Sequence, residues 1–518
     1  MTKKENYLFI LSLVSVPIII YFYFLKWRTT TIYGDDLVMF KSLSTAKDLS
    51  GVLHASTNMQ KYRPVHVLSS QLIYTLFQKQ LYSYYLFNVL IQTVNTFLVA
   101  LLINLFIKSR ILSLFFSLIY GLSRFSFYIF SELFNGGALE GLAITFFLLS
   151  LFFILKILTP NILTKEKFQN NILLSILFAN LSIYTHERYI VMLVFIGIVV
   201  LFFPGLGLSR KQRIILSTLP LLSIILNIAI KRFIYTIPFF VGTGGTHISF
   251  SFSQAFSFFI DGILSIFQIN SGPDYLVGFQ FSSLLFYEKI LVLILTASLL
   301  IIQMYYLIKL AKPSAFKSEK QNKYIFLFLS LLLILCLIPA VVTIRLEQRW
   351  LQAPFSIFLL MLIISLSSFR YKHIYIRNVF ISCIALYLLI INFYYFKKGV
   401  SNLYMVEAQK SAAIFKEGME ERIINPNVTK LYLWENHIDT NYNNGLSWAL
   451  GYGFIFNYYQ QKSKELIFVD SVCQISGKTI QQPFWEFNKE NAQILYVKNS
   501  VIDITNLYLS NSLKNFKY

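Results

Sequence analysis

Tyr33-Gly34-Asp35-Asp36 places two adjacent carboxylates a few residues beyond the first strongly apolar stretch of the chain. Two carboxylates at a membrane surface repel each other, so one member of such a pair tends to hold its proton. The pair can then divide the work: one carboxylate acts as base towards an acceptor hydroxyl, and the other orients the acceptor or binds a metal. An Asp ahead of Leu37-Val38-Met39-Phe40 equally suits the N-cap of a short interfacial helix, so residue type alone leaves both roles open.

A base of this kind suits sugar transfer from a phosphate-linked donor, which also needs cations for the departing phosphate. Several stand at segment ends. Arg63 lies in Tyr62-Arg63-Pro64-Val65-His66, Arg188 in His186-Glu187-Arg188, and Lys231 and Arg232 follow an apolar run; Arg345 and Arg349 flank Glu347. Arg pairs with phosphate through a planar fork, although any one of these cations could also anchor a helix end by snorkelling. His186, Glu187, Glu347 and Glu132 are candidates to line the same cavity. Glu132 and Glu140 flank Gly136-Gly137, where helix-end capping is an equal alternative. His186-Glu187-Arg188 lacks the second His of a zinc-protease helix, which excludes that class. Cys336 and Cys383 fall in apolar runs and Cys473 stands alone in the tail, so no metal-ligand spacing exists. A divalent metal (Mg or Mn) is an optional cofactor, with Asp35 or Asp36 as its ligand.

The elements that must position these groups are membrane helices. The chain has 518 residues, 56% of them hydrophobic and 13% charged, with mean hydropathy +0.61. Repeated apolar runs of roughly 20 residues match a hydrocarbon core about 30 Å thick. The net charge of +21 does not point to nucleic acid, because Lys and Arg gather in short loops between apolar runs, the pattern of cytoplasmic loops. The fold class expected is an all-α polytopic membrane protein of about eleven spans: 7–25, 81–107, 111–130, 138–158, 172–185, 189–203, 214–230, 290–310, 324–343, 351–368 and 379–396. The first follows Lys3 and Lys4 and lacks a small-residue cleavage site, so it reads as an uncleaved helix. Arg124 inside the third span is costly there unless it meets a cavity or partner. Residues 64–77 read as an interfacial helix with Pro64 in its first turn, and 248–269 as an interfacial or re-entrant segment.

Two domains are expected: a transmembrane part, 1–396, with outer loops 26–80 and 231–287, and an extracytoplasmic α/β tail, 397–518. In the tail Leu431–Trp434, Leu466–Val469 and Ile494–Val497 read as strands and 402–422 as a helix.

An acidic pair just after the first helix, with Arg63-Pro64 and an amphipathic helix in the same loop, resembles the GT-C superfamily of polyprenyl-phosphate-dependent glycosyltransferases. That superfamily includes protein O-mannosyltransferases and lipid A aminoarabinose transferases. The His186-Glu187-Arg188 turn and Glu347-Gln348-Arg349-Trp350 add to the resemblance, which covers about residues 1–396. It implies a multi-helix bundle with an outer-facing cavity, a polyprenyl-phosphate-sugar donor and inversion at the anomeric carbon, with Asp35 or Asp36 as base. Membrane lipid and a glycan, lipid or protein acceptor are the implied partners, and the cytoplasmic (inner) membrane is the implied location, with the N-terminus inside. An Asp stands here where the mannosyltransferases have Glu in second place, and their large inserted domain is not recognisable. Two rivals remain: an O-antigen polymerase or ligase, which relies on Arg and His rather than an acidic pair, and a non-enzymatic transporter, which expects ionisable groups near the bilayer midplane.

Overall fold

The computed structural model describes residues 3–48, 50–53, 61–159, 165–204, 206–237, 251–311, 317–342, 346–368, 374–435, 445–459, 461–462, 464–469, 491–497 and 500–506. The chain forms two compact units. The larger comprises Met1–Arg28 and Lys47–Leu403; the smaller comprises Thr29–Ala46 and Tyr404–Tyr518. The loop segment that carries the acidic pair therefore groups with the tail.

The larger unit is a bundle of helices. Among the described residues eight are long and apolar enough to cross a membrane, nine if one bent pair counts as a single span. This is a multi-pass membrane protein with a small C-terminal sheet. Two expected spans form as helices but fall short of that measure. Lys165–Thr185 opens on the polar run Lys165-Glu166-Lys167-Phe168-Gln169-Asn170-Asn171, and Ile190–Phe202 has 13 residues, about 20 Å of rise. Leu81–Ile107 and Pro64–Phe77 form over the expected limits. Gln352–Ser367 runs through the core, with every residue from Gln352 to Leu366 buried. Such all-round burial explains a helix that is apolar without a polar stripe.

The third expected span is broken. Arg110–Gly121 and Arg124–Ser131 meet at 61°. The break lets Arg124 turn inward, where Nη2 donates to the Ser265 carbonyl at 2.8 Å and the guanidinium lies 4.9 and 5.1 Å from the Phe125 and Tyr395 ring centres. These partners offset the cost of burying the charge in an apolar bundle. Within 248–269 the helix is Phe252–Ile266, of 15 residues. At 1.5 Å per residue that is about 22 Å, short of a hydrocarbon core.

In the smaller unit four strands, β1 (Lys430–Glu435), β2 (Glu465–Val469), β3 (Ala492–Val497) and β4 (Val501–Asp503), form one sheet in the order β2-β1-β3-β4. β1 pairs in parallel with β2 and β3, and β4 is antiparallel to β3. β3 is buried along its whole length, as expected for a strand covered on both faces. Helix Tyr404–Glu420 buries Tyr404, Ala408, Ala412, Phe415 and Met419, a spacing that puts them on one face.

Candidate functional site

Breaks in helices of the larger unit supply an ionic cluster. After Thr185 the backbone of His186 turns extended, and Nδ1 accepts the Arg188 N–H at 3.4 Å, capping the short 3-10 turn Glu187–Tyr189. The turn projects three polar side chains in sequence. A second break is the π-helix Leu133–Gly141. Asn88 Nδ2 donates to the Glu132 carbonyl at 3.0 Å, and a Cβ on Gly137 would collide with the Asn88 side chain. Glycine permits this close approach, and the wound backbone carries Glu140 inward. The extended backbone of Glu347 opens a third break, the 3-10 turn Gln348–Leu351.

Arg63 caps helix Pro64–Phe77 and reaches Glu187 through two bonds, Nε to Oε2 at 2.6 Å and Nη2 to Oε1 at 2.7 Å. This is the bidentate geometry that gives Arg–carboxylate pairs their directional strength. Tyr62, stacked on Tyr235 at 4.7 Å and edge-on to Tyr184, fixes the approach. Arg188 Nη2 bonds Glu140 Oε2. Arg349 Nε lies 2.5 Å from Glu347 Oε2 and 3.8 Å from Glu140 Oε1, with its guanidinium 4.0 Å from the centre of the Tyr128 ring. Glu140 is thus shared between two arginines at 1% exposure, and Glu347 is 3% exposed.

His186 sits inside this array. Its Nε2 lies 3.4 Å from Arg63 Nη2 and 3.8 Å from Glu140 Oε1. Burial, then the Arg188 and Arg63 charges, hold its pKa well below the ordinary imidazole value, so the ring is neutral at pH 7. For Glu187 burial pushes the carboxyl up, but the Arg63 charge and its hydrogen bonds outweigh it and hold it well below the usual range; it is ionised. Lys231, on the π-helix Ile230–Ile234, interacts electrostatically with Glu187, while Arg232 beside it is exposed. Glu132 is buried at the entry to the 133–141 π-helix. Arg345 lies outside the described residues.

What these arginines can do follows from their unused donors. Arg188 Nε and Nη1 are buried and make no hydrogen bond among the described residues. Buried donors without acceptors are costly, and an anion of phosphate size would satisfy several together.

His66, 3% exposed, hydrogen-bonds the Phe134 backbone, while Nε2 has no hydrogen-bond partner among the described residues. Burial, then the Arg63 charge, lowers its pKa to about 3. The unfolded chain takes up this proton near pH 6.5 and the folded chain does not. Stability should therefore fall as pH drops from about 6.5 towards 3, by at most roughly 1.4 kcal/mol per pH unit. Thermal unfolding of the detergent-solubilised protein between pH 7 and 4 measures this slope. His66→Gln, neutral throughout, should remove this share of the slope and leave the share that the likewise depressed His186 contributes.

The acidic pair lies in the smaller unit, at the start of helix Gly34–Thr45. The two carboxylates have different surroundings. Asp36 is fully buried, while Asp35 is exposed and accepts the indole N–H of Trp448 at 2.8 Å. Neither Asp makes the N-cap, which is Tyr33, with no side-chain cap bond. Among the described residues no group of three or more His, Cys, Asp or Glu could hold a metal ion. Trp448, 413 residues from Asp35, carries no local signal in the sequence, whereas Glu140 beside the Gly-Gly turn is a candidate there for lining the cavity or capping a helix end.

No family model matches the chain, and no curated protein matches it. Among solved structures it is similar to ArnT from Cupriavidus metallidurans in the apo state, at 11% identity and a TM-score of 0.47, over 97% of this chain and 94% of that one. It is likewise similar to the same protein bound to undecaprenyl phosphate, at 11% identity and a TM-score of 0.48, over 98% of this chain and 95% of that one.

Proposed function

We propose that the chain is a membrane glycosyltransferase that moves a sugar from a polyprenyl-phosphate donor to a lipid, polysaccharide or protein acceptor. The observation that carries this reading is the buried arginine cluster of a multi-pass membrane protein, with Arg188 donors left over for an anion. In the reaction Asp35 or Asp36 takes the proton of an acceptor hydroxyl, and that oxygen attacks the anomeric carbon. The bond from that carbon to the phosphate oxygen breaks, with inversion, and the electron pair leaves on the polyprenyl phosphate. Arg188 and Arg349, held in place by Glu140 and Glu347, meet the charge that builds there; Arg63, Lys231, Arg232 and Arg345 are further candidates for the same work. The exposed carboxylate of Asp35 suits a hard cation that keeps most of its waters. Asp35 or Asp36 would hold a Mg or Mn ion, which would supply positive charge beside the acceptor. The Lys and Arg bias of the loops supports a cytoplasmic N-terminus and an extracytoplasmic C-terminal unit in a bacterial-type inner membrane.

The test of the donor site uses undecaprenyl phosphate as probe, bound to the purified full-length protein in nanodiscs. Arg188→Lys keeps the charge beside Glu140 and removes the fork. It should weaken binding roughly tenfold, the scale of one lost charge-assisted hydrogen bond. Wild-type affinity in Arg188→Lys and in Arg349→Lys would count against an arginine-held phosphate. The neutral His186 between Arg63 and Arg188 also suits a polymerase or ligase, in which an Arg and His set acts without the acidic pair. Under that reading His186→Asn stops transfer and Asp35→Asn does not.

A further inference from the structure

The C-terminal unit places Trp448 against the acidic pair. We infer that Trp448 is a positioning residue, which holds the Asp35 carboxylate in its working orientation; this rests on the proposed glycosyltransferase activity. Its indole Nε1–H donates to Asp35 Oδ1 at 2.8 Å. An exposed Asp has free rotation about its side-chain bonds unless a partner fixes it, and a fixed base saves the entropy of finding the reacting geometry.

The indole is itself held. Its ring meets Tyr33 edge-on at 5.9 Å and Tyr404 at 5.7 Å. It packs over Gly34, where a Cβ would come within 2.7 Å of Trp448 Cζ2, and where the backbone has φ +58°. Glycine at 34 thus meets two demands, a left-handed turn into the helix and contact with the indole plane. Further along the same helix the Leu37 side chain fills the space beside Gly451, Phe40 meets Tyr458 edge-on at 4.8 Å, and Lys41 Nζ lies 3.8 Å from the centre of the Phe454 ring. Gln409 Nε2 donates to Thr30 Oγ1 at 3.2 Å. The segment 29–46 is thus built into the fold of the tail, and the tail's short helix Gly445–Ala449 presents Trp448, which bonds the exposed carboxylate.

Full-length protein in membranes, given undecaprenyl-phosphate glucose, galactose and mannose labelled in the sugar, tests this. Trp448→Phe keeps a ring over Gly34 and removes the N–H. It should lower kcat by roughly 10- to 100-fold, the cost of a misplaced catalytic group, with KM for the donor unchanged and normal protein levels. Gly34→Ala, which displaces the indole, should lower kcat likewise. Loss of activity in Asp35→Asn together with wild-type kcat in Trp448→Phe overturns the positioning role alone. So does a Trp448→Phe protein that loses activity only through lower protein levels or a raised KM. Wild-type activity in Asp35→Asn overturns the function reading beneath it.

Discussion

Replacing Glu140 by Leu is expected to destabilise the helical unit by about 3–5 kcal/mol, the range for breaking a buried ion pair by removing one partner. Glu140 is 1% exposed and serves both Arg188 and Arg349. Its loss leaves Arg188, whose Nε and Nη1 already make no hydrogen bond among the described residues, as an uncompensated charge in a buried site. It also removes the carboxylate that lies between Arg188 and Arg349 and screens their repulsion. Thermal and denaturant unfolding in detergent measure the effect. Glu140→Leu with Arg188→Met removes both charges and should recover much of the loss, because apolar groups of similar size replace a buried pair at little cost. A Glu140→Leu protein within about 0.5 kcal/mol of wild type, the ordinary range for surface changes, would show that the cluster is solvated and that its arginines do not depend on Glu140 for place.

The same cluster shows what a single sequence can and cannot display. Long apolar helices such as Leu81–Ile107 are legible because length and hydrophobicity are local properties, and Lys108 beyond the end marks the boundary. The cations at helix ends were legible for a related reason, since Arg63, Arg188 and Arg349 all stand beside an end of an apolar or amphipathic segment. Their long-range pairings were not. Glu140 lies 48 positions from Arg188, and Glu187 lies 124 from Arg63; no periodicity links them. The break at 122–123 falls at Gly121-Leu122-Ser123-Arg124, a short polar interruption that the length of the surrounding apolar run outweighs in the sequence. In the tail, alternating short apolar runs marked β1, β2 and β3, but nothing in the composition shows that residues 29–46 pack with a segment some four hundred positions later. The acidic pair was visible from its place after the first helix. That Asp36 is buried while Asp35 is exposed and hydrogen-bonded to Trp448 depends on that distant packing.

Asp35→Asn is expected to give the largest functional effect, a fall in sugar transfer of at least 10²- to 10⁴-fold, the usual contribution of a positioned general base. Asn is nearly isosteric and can still accept the Trp448 N–H through its amide oxygen, so the helix start should survive and the loss should appear in kcat. Asp36→Asn differs in kind. That carboxylate is fully buried and makes further interactions, so its replacement should lower protein stability as well as rate. The two variants thus divide base from support by whether stability moves with activity.

The most direct measurement is the transfer of labelled sugar from undecaprenyl-phosphate hexoses by membranes containing wild-type, Asp35→Asn or Asp36→Asn protein at equal levels. The account predicts transfer by the wild type, near-complete loss in Asp35→Asn with unchanged thermal stability, and loss in Asp36→Asn accompanied by a lower Tm. Full transfer by both variants would contradict it.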